Sequence, residues 1–245
     1  MININKDKAL YEKETIEATI KDNELIPGIS GMKVNVDSSY SKMKQKGSYD
    51  KSLYVFDEVK PEIISSNDYD DYIVSGNNTN PYVSLIFVIK DTDYVEDILK
   101  ILNEKEINAT FFLDKSLFDN SIDLIKSIVN FGNDVELLSN NYSIYEVNKY
   151  NSILRLVTKD KLSFCYFDNK NDDIKKNCKE SKLNSVIPNI NTDSYIYSII
   201  KNKMNNGSII EINNNLTSVK ELKSTISYIF QKGKKIVLLK KLIEE

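Results

Sequence analysis

The 245 residues contain no histidine and no tryptophan, one arginine (Arg155), two cysteines, seven glycines and four prolines. Each shortage removes a class of chemistry. Without histidine the chain lacks the commonest general base near neutral pH and the commonest zinc ligand. No Ser-His or Cys-His nucleophile pair can therefore be assembled. A lone arginine argues against bidentate recognition of phosphates or bases. A net charge of -3 with dispersed lysines offers no basic footprint, so no nucleic-acid partner is expected. Cys165 and Cys178 are too few for a disulfide framework and too widely spaced for a zinc knuckle. The simpler reading is two thiols, one in a strand and one in the following helix, with a single bridge as the alternative. No glycine-rich phosphate loop occurs. Met1 leads directly into polar residues and no run is long enough to span a bilayer, so no membrane span is expected. The chain then reads as a cytosolic protein or as the extracytoplasmic part of an anchored one.

What the chain has instead is a rhythm that starts at Val83-Ser84-Leu85-Ile86-Phe87-Val88-Ile89. Such a run cannot alternate faces, which suits a strand buried on both sides in a parallel sheet. Short apolar runs then recur at 107–113, 134–138, 162–167, 184–187, 208–212 and 235–239. Amphipathic stretches separate them, such as Val95, Ile98, Leu99 and Leu102, with Asp91, Thr92 and Asp93 available as caps. Gly132 is placed to end the helix carrying Ile122, Ile125, Ile128 and Val129, and Ser218 with Glu221 reads as a capping box. Seven strands alternating with helices predict an α/β protein, either a parallel barrel or a doubly wound sheet. Residues 1–79 differ in character and read as an N-terminal extension. The spacing of Leu10, Ile16 and Ile20 predicts a solvated helix within 5–24, followed by short strands rich in tyrosine. The turn cluster Ser75 to Pro81 marks the boundary with the main domain at 80–245.

Ile107-Asn108-Ala109-Thr110-Phe111-Phe112 resembles the second strand of the polysaccharide deacetylase (NodB-homology) family. Asn206-Gly207-Ser208-Ile209-Ile210 and Lys232-Gly233-Lys234-Lys235-Ile236-Val237-Leu238-Leu239 are similar to its later strands. The resemblance spans roughly Asn80 to Glu245. It implies an irregular (β/α)7-8 barrel with a metal site at its C-terminal mouth. Set against the family's motifs, the catalytic base position becomes Val88 and the metal-binding aspartate Ile89. The two metal-binding histidines become Leu138 and Tyr142. The arginine becomes Cys165, the supporting Asp-Trp becomes Ser194-Tyr195, and the late general-acid histidine becomes Asn213.

Deacetylation in the family needs a Lewis acid, a base and an acid together. Hydrocarbon at these positions implies a catalytically inactive domain without a cofactor or metal. Its mouth is expected to be a vestigial groove carrying Asn140, Asn141, Tyr142, Tyr166, Tyr195 and Asn213. Phenols and amides suit sugar rings and hydroxyls, although they also suit plugging a vacated pocket. The expected partners are a cell-wall glycan or another surface protein, outside a Gram-positive cell, with a cytoplasmic setting as the alternative. The competing function is a divergent N-deacetylase of peptidoglycan or chitooligosaccharide. It would hold a metal through oxygens drawn from Asp91, Asp93, Asp134, Glu136 or Asp168. Glu211, inside Ser208-Ile209-Ile210-Glu211-Ile212, reads most simply as the polar face of an alternating strand.

Overall fold

The structure, a computed structural model, describes residues 1–64, 70–192 and 195–244. Its strands are β1 (Thr19–Lys21), β2 (Glu24–Ile26), β3 (Gly31–Val34), β4 (Phe56–Val59), β5 (Tyr72–Ile73), β6 (Tyr82–Ile89) and β7 (Thr110–Asp114). They continue with β8 (Asp134–Leu138), β9 (Phe164–Tyr166), β10 (Asn184–Val186), β11 (Ile190–Thr192), β12 (Ile209–Asn213) and β13 (Lys235–Ile236). One parallel sheet runs β11-β12-β6-β7-β8, with β13 parallel to β6 at its start. The second runs β1-β2-β5-β10-β9, parallel except for the β1–β2 hairpin.

β6 organises both layers because its two faces are both buried. Val83, Leu85, Phe87 and Ile89 pack outward against helical residues such as Val95, Ile98 and Leu102. Ile86 and Val88 point inward and meet Phe112, Phe164, Tyr166, Val186 and Ile209. Inward side chains from five parallel strands thus share one cluster, which is the interior of an irregular (β/α) barrel. Each fully buried Val, Ile or Phe here contributes about 1.5–3 kcal/mol, so β6 is the strand this fold can least lose. The backbone ladder does not close the ring, since β8 and β9 are not hydrogen-bonded to each other as strands.

Two side chains bridge that seam. The Glu136 carboxyl oxygen accepts the backbone N–H groups of Ser163 (2.9 Å) and Phe164 (3.1 Å) at the start of β9. The Tyr142 hydroxyl accepts Tyr166 N–H (3.0 Å) at its end and donates to the Leu137 carbonyl of β8 (2.8 Å). Donors that a paired strand would satisfy are satisfied by side chains instead.

Residues 1–79 follow a different plan from the predicted helix over 5–24. The helix is Ile2–Asp7, and Asp22 and Asn23, both at positive φ, form the tight turn between β1 and β2. Two adjacent left-handed residues are what a two-residue hairpin requires, and Asp and Asn tolerate them. β2 and β5 then join the same sheet as β10, while β3, β4 and the Val36–Lys46 helix gather around a small core of Ile4, Val34, Met43 and Tyr54. Two helix starts also differ from expectation. Asn215, whose side chain accepts Ser218 N–H, caps Leu216–Gln231 in place of the Ser218–Glu221 box. Left-handed Tyr94 precedes Val95–Glu104, and Asp91 accepts Asp93 N–H within the loop before it. Gly132 does end its helix, at φ 81°, where a Cβ would lie 2.5 Å from Asn108 Nδ2.

Candidate functional site

Because the barrel strands are parallel, their C-terminal ends share one face, and the loops that follow them surround a cavity of about 610 Å³. Its floor is hydrocarbon from Val88 of β6 and Leu138 of β8. Beside it stand Tyr166 of β9 and Glu211 and Asn213 of β12, with Asp114 and Lys115 from the end of β7 and Asp168 after β9. Tyr166 is 7% exposed and Glu211 5%. The Tyr166 hydroxyl lies 2.8 Å from Glu211 Oε2 and also bonds Asp168 Oδ1. One phenolic proton thus faces two carboxyl groups. Burial, then Asp168, then Glu211 push the Tyr166 phenol far above its ordinary range. It is a fixed hydrogen-bonding post that stays protonated.

The positions singled out from the sequence separate into three groups. Asn140, Tyr166 and Asn213 line the cavity, as do Val88 and Leu138. Asn141 and Tyr195 are not among the lining residues. Asn141 is exposed and accepts hydrogen bonds from Asn177 Nδ2 on the helix after β9. Tyr195 is 68% exposed on the loop after β11. Tyr142 is fully buried at φ 52°, its hydroxyl committed to the β8–β9 seam. Ile89 packs outward under the helices. Cys165 is joined to Cys178 in a disulfide, which selects the bridge over the two free thiols preferred from the sequence. Ser194 lies outside the described residues.

The proposed oxygen ligands do not converge. Asp91 receives Asn214 Nδ2 at 2.8 Å, and Asp93's carbonyl receives the same amide at 3.1 Å. Asp134 and Glu136 line a different cavity with Lys240, toward the N-terminal ends of the strands, where Asp134 pairs with Lys240 at 2.9 Å. Asp168 alone of the five reaches the mouth. Among the described residues no group of three His, Cys, Asp or Glu side chains is placed to hold a metal. Glu211 is the mouth residue that reading by alternation undervalued. Its signal was a single carboxylate flanked by isoleucines in a strand that lies directly beside β6.

A family model described as polysaccharide deacetylase matches residues 75–184. The chain contains a polysaccharide deacetylase-like domain. This domain is 37% identical over 111 residues to the uncharacterized protein YlxY of Bacillus subtilis (strain 168), a match covering 45% of this chain and 35% of that relative. Among solved structures it resembles wild-type BA3943, described as a CE4 family pseudoenzyme from Bacillus anthracis. The TM-score is 0.75 at 21% identity, over 100% of this chain and 94% of that one. A BA3943 mutant described as having restored enzymatic activity gives a TM-score of 0.77 at 21% identity, over 100% and 97% of the two chains. At these identities the likeness establishes the fold, and the deacetylase-like domain's chemistry rests on its own residues.

Those residues do not fit the metal of active family members. Val88 and Leu138 carry no donor atom, Ile89 faces away from the mouth, and the Tyr142 hydroxyl is consumed by backbone groups of both strands. A divalent cation needs several oxygen, nitrogen or sulfur ligands in one shell.

Proposed function

We propose that this domain is a catalytically inactive deacetylase-like module that holds a glycan chain across the barrel mouth at a cell surface. The observation that carries the reading is the mouth's floor, where Val88 and Leu138 lie beside the fixed Tyr166–Glu211 pair in a chain without histidine. The chemistry around that floor is of the kind that binds sugars. Amides of Asn140 and Asn213 and the carboxylate of Asp168 border the cavity. The segments that follow β6, β8 and β11, on the same face, carry Tyr94, Tyr145 in the first turn of the Ile144–Leu154 helix, and Tyr195, at 37, 83 and 68% exposure. Exposed phenols stack on sugar rings and amides meet hydroxyls, and the cavity volume falls within the range of small-ligand sites. The Bacillus anthracis neighbour, described as a pseudoenzyme, supports the view that this architecture persists without its reaction. A disulfide between Cys165 and Cys178 supports an oxidising, extracytoplasmic setting.

The test is calorimetric titration of the whole chain with chitotetraose and with peptidoglycan fragments, alongside an acetate-release assay. Saturable binding, weakened by Asn140→Ala, with no acetate released, is the expected result. Acetate release that a chelator abolishes would overturn the inactive reading, and absence of binding to either glycan would overturn the glycan reading.

A further inference from the structure

We propose that the Cys165–Cys178 disulfide is a redox-sensitive latch on one wall of the barrel mouth, so that the mouth is fully formed only in the oxidised chain. The inference rests on the reading of the mouth as the ligand site. Cys165 lies in β9, paired with Ser185 of β10, and Cys178 lies in the Asp172–Glu180 helix; both are fully buried. The stretch bracketed by the two sulfurs, from Tyr166 to Ile174, supplies one whole side of the cavity lining.

Tyr166 and Phe167 belong to the barrel core, paired with β10 and packed in its apolar clusters, but past them little else fastens the stretch. Cys178 is the only buried residue of the Asp172–Glu180 helix, and partly buried Ile174 one turn before it is all that widens the apolar stripe by which the helix docks. A nine-residue helix of this kind is marginal on its own. The remaining ties past Phe167 are Lys175 Nζ over the Tyr72 ring at 4.8 Å and a few polar bonds, most of them exposed. Asn171 N–H donates to the Tyr72 hydroxyl (2.8 Å), Lys170 pairs with Glu24 (2.8 Å), and Asn177 Nδ2 donates to the Asn141 carbonyl (2.9 Å). Exposed pairs of this type hold weakly. The covalent bridge is the firm attachment of the part of this wall that runs from Asp168 through Ile174 to the helix.

Opening the latch requires an external dithiol. One of its thiolates attacks a cysteine sulfur and forms a mixed disulfide. Its second thiol then displaces that sulfur, leaving the dithiol as a cyclic disulfide and Cys165 and Cys178 as two thiols that have gained two electrons and two protons.

The experiment uses the full chain, oxidised or treated with dithiothreitol, with thiol titration to confirm each state. Amide hydrogen exchange and chitotetraose affinity are then measured on both. We expect amides of residues 168–180 to exchange at least tenfold faster after reduction, those of β6 and β7 to keep their protection, and affinity to fall at least tenfold. Unchanged exchange in 168–180, or equal measurable affinity in both states, would overturn the latch. Faster exchange in 168–180 when neither state binds would leave the latch standing and sink the glycan reading. Cys165→Ser/Cys178→Ser should reproduce the reduced state. If that variant loses protection in β6, Cys165→Ala/Cys178→Val, which restores hydrocarbon volume, carries the same comparison.

Discussion

The two ends of the barrel treat polar side chains in opposite ways. At the N-terminal end they are consumed by the backbone. Thr110 Oγ1 accepts Leu239 N–H (3.1 Å), Asn133 Oδ1 accepts Ala109 N–H (2.9 Å), Asn189 Oδ1 accepts Ile209 N–H (2.8 Å), and Glu136 accepts two N–H groups from β9. At the mouth, Asp168, Asn140 and Asn213 border open space, and two of the floor positions are hydrocarbon. The difference teaches which parts of an inherited architecture resist change. A buried backbone donor left without its acceptor costs about 1–3 kcal/mol whatever the protein does, whereas a mouth residue is held in place only by the reaction or ligand it serves.

The sharpest way to break this comparison is to remove the largest tie at the N-terminal end. Glu136→Ala strands the N–H groups of Ser163 and Phe164 and is expected to cost roughly 4 kcal/mol in urea-induced unfolding. A loss below about 1 kcal/mol would mean that the seam is not held there.

The same residue gives the contrast a pH dependence. Burial raises the Glu136 carboxyl from 4.5 to about 8, against the lowering effect of its two backbone donors. Unfolded chain releases this proton near pH 4.5 and folded chain keeps it until about 8, so the folded form binds more protons across that window. This group's contribution therefore diminishes stability by roughly 1.4 kcal/mol per pH unit as pH rises from about 5 to about 8, then levels off. Glu136→Gln keeps an acceptor oxygen and should flatten the slope, as read by unfolding midpoints at pH 5.5 and 7.5. An unchanged slope would remove Glu136 as its source.

Next in size, Cys165→Ser/Cys178→Ser opens a loop of 13 residues' separation and is expected to lower stability by about 3 kcal/mol. At the seam's other end Tyr142→Phe, which loses contacts to Tyr166, Ser139 and Leu137, should cost roughly 2 kcal/mol in the same assay. The smallest effect belongs to the mouth. Asn140→Ala should move stability by no more than about 0.5 kcal/mol while weakening chitotetraose binding, and a large destabilisation there would erase the distinction between the two ends.

Much of the fold was legible because β6 and its successors are written in runs whose period betrays them. The Ala109-Thr110-Phe111-Phe112 stretch is recognisable for a structural reason. Its Ala109 N–H and Thr110 hydroxyl complete bonds at the barrel's N-terminal end, so it reports architecture and not activity. The extension was harder to read. Ile16 and Ile20 stand at helical spacing, yet the Asp22–Asn23 turn imposes a hairpin and leaves both partly exposed. At the mouth, Asn140 and Asn213 were singled out through the resemblance to the deacetylase family's motifs, and both line the cavity. Tyr142 has the same credentials, but its ring turns inward to bridge β8 and β9.

By itself the amino-acid order determined the α/β rhythm, the place of β6 at its centre and the absence of any imidazole, since hydrophobic period and residue chemistry are local properties. Only the tertiary structure decided that Glu136 and Tyr142 close the ring, that Cys165 meets Cys178, and that Tyr166 stands between Asp168 and Glu211. Such encounters depend on strand curvature and register, which bring together groups from different strands, loops and helices.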